Sequence, residues 1–321
     1  MTTVGQAYRA HGEGQSSLPH STFLRFPGNE TSRIIALPAY LGDGFQVAGL
    51  KWIASFPTNN QLGLARASAV IVMNSCETGY PEAILEGSLI SAQRTAASAA
   101  LAARVFLDGR PTESAGFVGA GLINREIARF LAVALPGIRR LSVLDRDPAQ
   151  ATRFAAEVRA IPGFSETEVE VVPGLDAVLR CPLVSFATTA VSPHVTDLSP
   201  CPPGAVILNV SLRDLAPEAI QACDNVVDDV DHVCRAQTSV HLAEQLTGSR
   251  DFIRCTLAEI LEQAAPARRD ENGVTVFSPF GLGVLDIAVA KQVLDLARAA
   301  GRGMRMPSFF PRGEPVAEPA K

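Results

Sequence analysis

The chain has 321 residues, enough for two domains or for one domain with a large insertion. Its 47% hydrophobic and 19% charged residues exclude a disordered chain, and a formal charge of −5 leaves no basic footprint for nucleic acid or an anionic membrane. Six cysteines without a CxxC make neither a disulfide framework nor a zinc site, and no apolar run of about 18 residues is present to span a membrane. Met1 to Gln15 is polar, so it does not read as a signal peptide. The expectation is a cytoplasmic protein with reduced thiols.

In chain order, Ser32 to Leu37 and Gln46 to Phe56 read as strands around a Gly42-Asp43-Gly44 turn, followed by a strand at Ala69 to Met73 and a turn at Thr78 to Pro81. Glu82 to Phe106 reads as one long helix rich in Ser and Ala, suited to close packing against a sheet or a partner subunit. After Asp108-Gly109-Arg110-Pro111 the pattern changes. Apolar runs of strand length at Ala115 to Val118, Leu141 to Leu144, Leu183 to Ala187 and Ala205 to Val210 alternate with helices, and Asn225 to Val230 is a further candidate. That alternation predicts a parallel sheet wrapped by helices. Val284 to Ala299 reads as an amphipathic helix with Leu285, Ala288, Val289, Val293 and Leu296 on one side, and Arg302 to Lys321 as a loose or wrapping tail.

Gly119-Ala120-Gly121-Leu122-Ile123-Asn124 lies between a strand and a helix, where a dinucleotide fingerprint belongs. Gly119 would make the tight turn, and Gly121 would let a pyrophosphate approach the helix N-terminus. Asn124 stands where a third Gly or Ala is usual. Asp145, 21 residues on, sits where a carboxylate binds ribose hydroxyls and repels a 2′-phosphate, which favours NAD. Arg146 beside it is the residue that would pair with such a phosphate.

Three charged residues stand out. Lys51 interrupts the apolar run Val47 to Ile53, either as a buried ammonium able to polarise a substrate or as a solvated lysine on an edge strand. Arg94 interrupts the small-residue helix, as a site residue or as half of a surface ion pair. Asp214 follows a strand end, where ligands of open parallel sheets gather, or caps a helix ahead of Pro217. Asp228 to His232, with Cys234 nearby, lacks the spacing that organises a metal site, and no metal is expected.

Gly49-Leu50-Lys51-Trp52, Gly63-Leu64, Thr78 to Pro81, Arg94-Thr95-Ala96-Ala97 and the Gly119-Ala120-Gly121 turn together resemble the ornithine cyclodeaminase/μ-crystallin family over nearly the whole chain. The resemblance implies an α/β fold: a Rossmann dinucleotide-binding domain at 113–285 and an α+β substrate and dimerisation domain from 1–112 with 286–321. It also implies a homodimer, and a chain that starts within the family's first helix.

Lys51 to Pro57, Arg66 to Val70, Ser211 to Asp214, Val227 to Ser239 and Ser278 to Gly283 resemble the branch of siderophore-pathway N-(2-amino-2-carboxyethyl)-L-glutamate dehydrogenases. Carried over residue by residue, Lys51 and Asp214 are catalytic. Arg25, its rival Arg33, Arg66 and Arg94 hold substrate. Gly119, Gly121, Ile123, Asn124, Asp145, Arg146, Thr188, Thr189 and Ser211 hold the cofactor. Cyclodeaminases carry Pro-Gly-Lys after the aspartate, whereas this chain has Leu215-Ala216-Pro217-Glu218. The family alternatives are therefore ornithine or lysine cyclodeaminase, imine reductase, and a non-catalytic crystallin-like dinucleotide-binding protein.

Overall fold

The structure is a computed structural model that describes residues 1–307 with 309 and 310, apart from the side chains of Glu30 and Asn60. A first helix, α1 (Thr2–Gly12), precedes β1 (Ser16–Ser17), β2 (Thr22–Phe26), β3 (Asn29–Leu41), β4 (Val47–Ser55), β5 (Ala67–Asn74) and β6 (Pro81–Glu86). These strands form one antiparallel sheet in the order β1-β3-β4-β5-β6, with β2 also on β3. Pairing of Leu37 with Lys51 and of Lys51 with Ile71 fixes which residues share a face. With side chains alternating, Arg25, Arg33, Lys51 and Ser55 lie on one face. Leu24, Trp52 and Ile84 lie on the other, 45%, 38% and 61% exposed.

Pro81–Glu86 corrects the expected helix. That segment alternates half-buried and exposed residues on β5, and the helix α2 (Ser88–Phe106) begins only after Gly87. A short mixed run beside a small-residue helix carries no period of its own long enough to separate the two. Ala96, Ala99, Ala100 and Ala103 on α2 are fully buried.

Then follow β7 (Ser114–Val118), α3 (Leu122–Ala134), β8 (Arg140–Leu144), α4 (Pro148–Arg159), β9 (Glu168–Val171), α5 (Leu175–Leu179), β10 (Leu183–Phe186) and β11 (Val206–Asn209). After these come α6 (Pro217–Gln221), β12 (Asp224–Val227), α7 (Val230–Val233), α8 (Ser239–Thr247), β13 (Ile253–Thr256), α9 (Leu257–Leu261), β14 (Thr275–Ser278) and α10 (Gly283–Ala299). The eight strands of this part form a wholly parallel sheet, ordered β13-β12-β14-β11-β10-β7-β8-β9. Strand order reverses between β7 and β10, so a crevice opens at their carboxyl ends.

Helix α2 packs on α1, α10 and β5 on one side and on α3, β11 and β14 on the other, so one apolar core runs through both sheets. Helix α10 returns to lie on β3, β4 and α1. Its expected apolar stripe is only half covered: Leu285 and Ala288 are buried, while Leu296 is 63% exposed. Of the expected tail, Phe310 packs on Tyr80 with ring centroids 4.9 Å apart, and 308 and 311–321 lie outside the described residues. No described helix is long and apolar enough to cross a membrane.

Phe106, at the end of α2, meets Phe277 of β14 edge-on at 6.1 Å, and both rings are fully buried. Phe106→Ala would open a cavity at this seam and is expected to cost about 3–5 kcal/mol, read from the urea midpoint at unchanged slope.

Candidate active site

The glycine turn sits at the reversal of the parallel sheet. Gly119 has φ +90°, and a β-carbon there would lie 2.5 Å from the Ala187 carbonyl oxygen. Only glycine makes that turn without strain. Gly121 faces open space and caps α3 with no side chain, so the first N–H groups of the helix are available to an anion. Asn124 replaces the usual small residue to structural effect. Fully buried, it donates to the Val118 and Gly119 carbonyls at 2.9 and 2.6 Å and accepts from the Ser185 hydroxyl at 2.7 Å, tying the turn to β7 and β10. Ile123 lies in the first turn of α3. Asp145, just past β8, accepts from the Ala120 amide at 2.7 Å and the Asp147 amide at 2.9 Å, which holds its carboxylate at the rim of the turn. Arg146 is exposed beside it. These residues fit a dinucleotide: an open helix N-terminus for the pyrophosphate and a carboxylate at the ribose position.

Thr188 and Ser211 follow β10 and β11 and converge on Asp214. The Thr188 hydroxyl donates to one carboxylate oxygen at 2.5 Å, and the Ser211 hydroxyl donates to the other. Nε2 of His194 lies 3.8 Å away, and Asp214 is fully buried. The helix-cap reading fails, because Ala216 is the N-cap of α6. Thr189 is exposed, next to this cluster in sequence.

Lys51 lies in an interior strand rather than at an edge, and only 2% of it is exposed. Its ammonium donates to the Ser91 hydroxyl at 3.2 Å and forms an ion pair with Asp286 at 2.6 Å. Arg94, 7% exposed, takes the other oxygen of Asp286 at 2.8 Å. Ser91, Arg94 and Ser98 follow at helical spacing on α2, and Ser98 continues the polar stripe to the buried Tyr8 hydroxyl at 2.6 Å. Two cations thus share one buried carboxylate. Burial, and next the charge of Arg94, push the Lys51 ammonium down to about 8, against the opposing pull of Asp286.

The parallel sheet reaches into this cluster. Asp228, buried past β12, accepts from the Phe280 amide at 2.9 Å and the Gly281 amide at 2.7 Å. Gly281 has φ +94°, and a β-carbon there would lie 2.8 Å from the Arg94 guanidinium. Asp286 is the residue that reading the sequence missed. Its signal was an acid inside the apolar run Val284-Leu285-Asp286-Ile287, the same kind of signal that singled out Lys51.

Arg25 pairs with Arg33 across β2 and β3, and Arg33 with Ser55, whose hydroxyl accepts from Arg66 at 3.2 Å. The three arginines therefore meet at the far end of the face that carries Lys51. Burial lowers the Arg33 pKa, as do the charges of Arg213, Arg66 and Arg25 in that order. None of the ion pairs among the described side chains includes Arg25, Arg33, Arg66 or Arg213.

Asp286→Asn would leave two buried cations without a counter-charge. The expected loss is about 3–5 kcal/mol in denaturant unfolding, the range for breaking a buried pair from one side. A loss below about 1 kcal/mol would show that the cations find another partner.

The chain is 28% identical to N-((2S)-2-amino-2-carboxyethyl)-L-glutamate dehydrogenase of Staphylococcus aureus over 314 residues, covering 94% of this chain and 91% of that one. Its structure superposes on Δ1-pyrroline-2-carboxylate reductase of Thermococcus litoralis, solved with NADH and L-proline, with a TM-score of 0.87 at 25% identity, over 95% and 94% of the two chains. An archaeal alanine dehydrogenase dimer with bound NAD matches with a TM-score of 0.85 at 25% identity, over 96% and 93%. A model of the ornithine cyclodeaminase/mu-crystallin family matches residues 1–301, from the first helix to just past the last, and the chain belongs to that family.

Proposed function

We propose that the protein is an NAD-dependent dehydrogenase that cleaves N-(2-amino-2-carboxyethyl)-L-glutamate oxidatively to 2-oxoglutarate and 2,3-diaminopropionate, in siderophore or peptide natural-product biosynthesis. The observation that carries this reading is the excess of positive charge around the site. Lys51 and Arg94 share a single carboxylate, and Arg25, Arg33 and Arg66 on the same sheet face have none among the described side chains. A substrate with three carboxylates supplies the missing anions; ornithine supplies one. The likeness to the Staphylococcus aureus dehydrogenase agrees with this substrate class.

Gly119, Gly121 and Asp145 would hold NAD, which would supply the acceptor for the hydride of the substrate α-carbon. Asp214 takes the amine proton before the hydride leaves; water then adds to the iminium carbon, Asp214 returns its proton to the nitrogen, the C–N bond breaks as the new C=O forms, and the two water protons pass to solvent. Both oxygens of Asp214 are occupied by hydroxyls, so either Thr188 or Ser211 must open or relay for that proton to pass. Lys51 and Arg94 hold the carboxylate beside the reacting carbon, and the forked arginines grip the remaining ones. We also propose the division into 1–112 with 286–321 for substrate and dimerisation and 113–285 for cofactor, a cytoplasmic location, and a homodimer. The dimer is supported by the open apolar sheet face at Leu24, Trp52 and Ile84 and by the dimeric alanine dehydrogenase neighbour.

A second reading, imine reductase, is favoured by the superposition on the pyrroline-2-carboxylate reductase. The same residues would serve hydride transfer in the other direction.

Purified protein with NAD and N-(2-amino-2-carboxyethyl)-L-glutamate is expected to release NADH and 2-oxoglutarate in equal amounts. Lys51→Ala and Asp214→Ala should each lower kcat by about 10²–10⁴. NADH consumption on a cyclic imine, with none formed from the amine, would move the protein to the reductases.

The pH dependence follows from Lys51. Losing its proton near pH 8 removes the cation that attracts a carboxylate, so kcat/KM should fall as pH rises through about 8. The limb should be absent in Lys51→Arg, whatever its absolute rate. The thiols of half-buried Cys201 and of buried Cys223 and Cys255 are pushed up to about 11, 12 and 11, chiefly by desolvation, and do not titrate in that window.

A further inference from the structure

A cavity of about 240 Å³ is lined by residues from both parts of the chain. Ser21, Phe23 and Arg25 line it from the antiparallel side, and His232, Arg235 and Phe280 from the parallel side. Arg25 lies over the Phe23 ring at 5.6 Å, which orients its guanidinium. Neither Arg25 nor Arg235 has an ion-pair partner among the described side chains.

His232 gives the cavity a fixed wall. It is 6% exposed, and its Nδ1 lies 2.9 Å from Asp229, which fixes the ring. The other oxygen of Asp229 lies 3.3 Å from Nε2 of His11, whose Nδ1 is 2.8 Å from the Ser16 hydroxyl. The His20 ring stands 5.1 Å from that of His232. Burial would lower the His232 pKa, but the hydrogen bond and charge of Asp229, the charge of Asp228 and the Pro19 backbone outweigh it, and the net shift is upward.

We propose that this cavity is a subsite for a carboxylate remote from the reacting carbon, bound by Arg25 and Arg235, and that it selects polyacidic over monoacidic substrates. The proposal rests on the polycarboxylate reading above and adds Arg235, with the His232 ring, held by Asp229, as a wall of the cavity. A subsite formed from both sheets also makes occupancy depend on the closeness of the two.

Binding separates the subsite from turnover. Calorimetric titration of the NADH-loaded enzyme with glutarate and with valerate compares two five-carbon chains that differ by one carboxylate. Wild type should bind glutarate at least about 10-fold more tightly, as expected for a charge-assisted pair. Arg235→Leu, at an exposed position, should remove most of that preference, with NADH affinity unchanged. Equal binding of the two acids by wild type, or a preference that survives Arg235→Leu, overturns the subsite. A preference lost in Arg235→Leu, in an enzyme that makes no NADH from N-(2-amino-2-carboxyethyl)-L-glutamate, keeps the subsite and sinks the substrate. Turnover of that amine with KM unchanged in Arg235→Leu does the reverse.

Discussion

The carboxylate of Asp286, held between Lys51 and Arg94, is the interaction on which the rest of the molecule depends. Each buried ion loses several kcal/mol of hydration. Here that loss is offset by short pairings, by the Ser91 hydroxyl, and by the place of Asp286 in the first turn of α10, at the positive end of the helix. The three charges come from β4, α2 and α10, so their pairing fixes three elements at once. Asp228 extends the constraint to the parallel sheet by holding Gly281 against Arg94. One positive charge is left over, and a site built this way is pre-organised for an anion.

The two sheets divide the chemistry according to their geometry. In the parallel sheet every strand points the same way, so Gly119, Thr188 and Ser211 gather at one edge without any side-chain pattern demanding it. In the antiparallel sheet the period of two does the sorting. It puts Arg25, Arg33 and Lys51 on the face that turns toward α2 and α10, and Leu24, Trp52 and Ile84 on the opposite one. Between the sheets, the alanines of α2 bring both into a single core, and small side chains are what allow that approach.

Features with a local cause were readable in advance. Gly119 and Gly121 announce themselves because a tight turn between strand and helix needs glycine, and Lys51 because an ammonium inside an apolar run is costly. Asn124 departs from the usual small residue, and its three hydrogen bonds are not legible in the sequence, since no spacing rule describes a side chain that reaches back to two strands. Pro81–Glu86 was absorbed into the helix that follows it, because six residues of mixed polarity have no period of their own and only pairing with β5 makes them a strand. Asp286 was passed over because an acid in a helix's first turn is ordinary, and its partners lie 192 and 235 residues away.

By itself, the sequence determined the alternation of strands and helices, the dinucleotide turn, the carboxylate after the second parallel strand, and the list of charged residues out of place. These follow from periodicity, backbone freedom and desolvation cost, which act over a few residues. Only the tertiary structure decided which charges meet: that Lys51 and Arg94 share Asp286, that Asp214 is enclosed by two hydroxyls, and that Asp229 joins His232 to His11. Electrostatic pairing depends on separation in space, and chain entropy lets residues distant in sequence meet only once the core has brought their elements together.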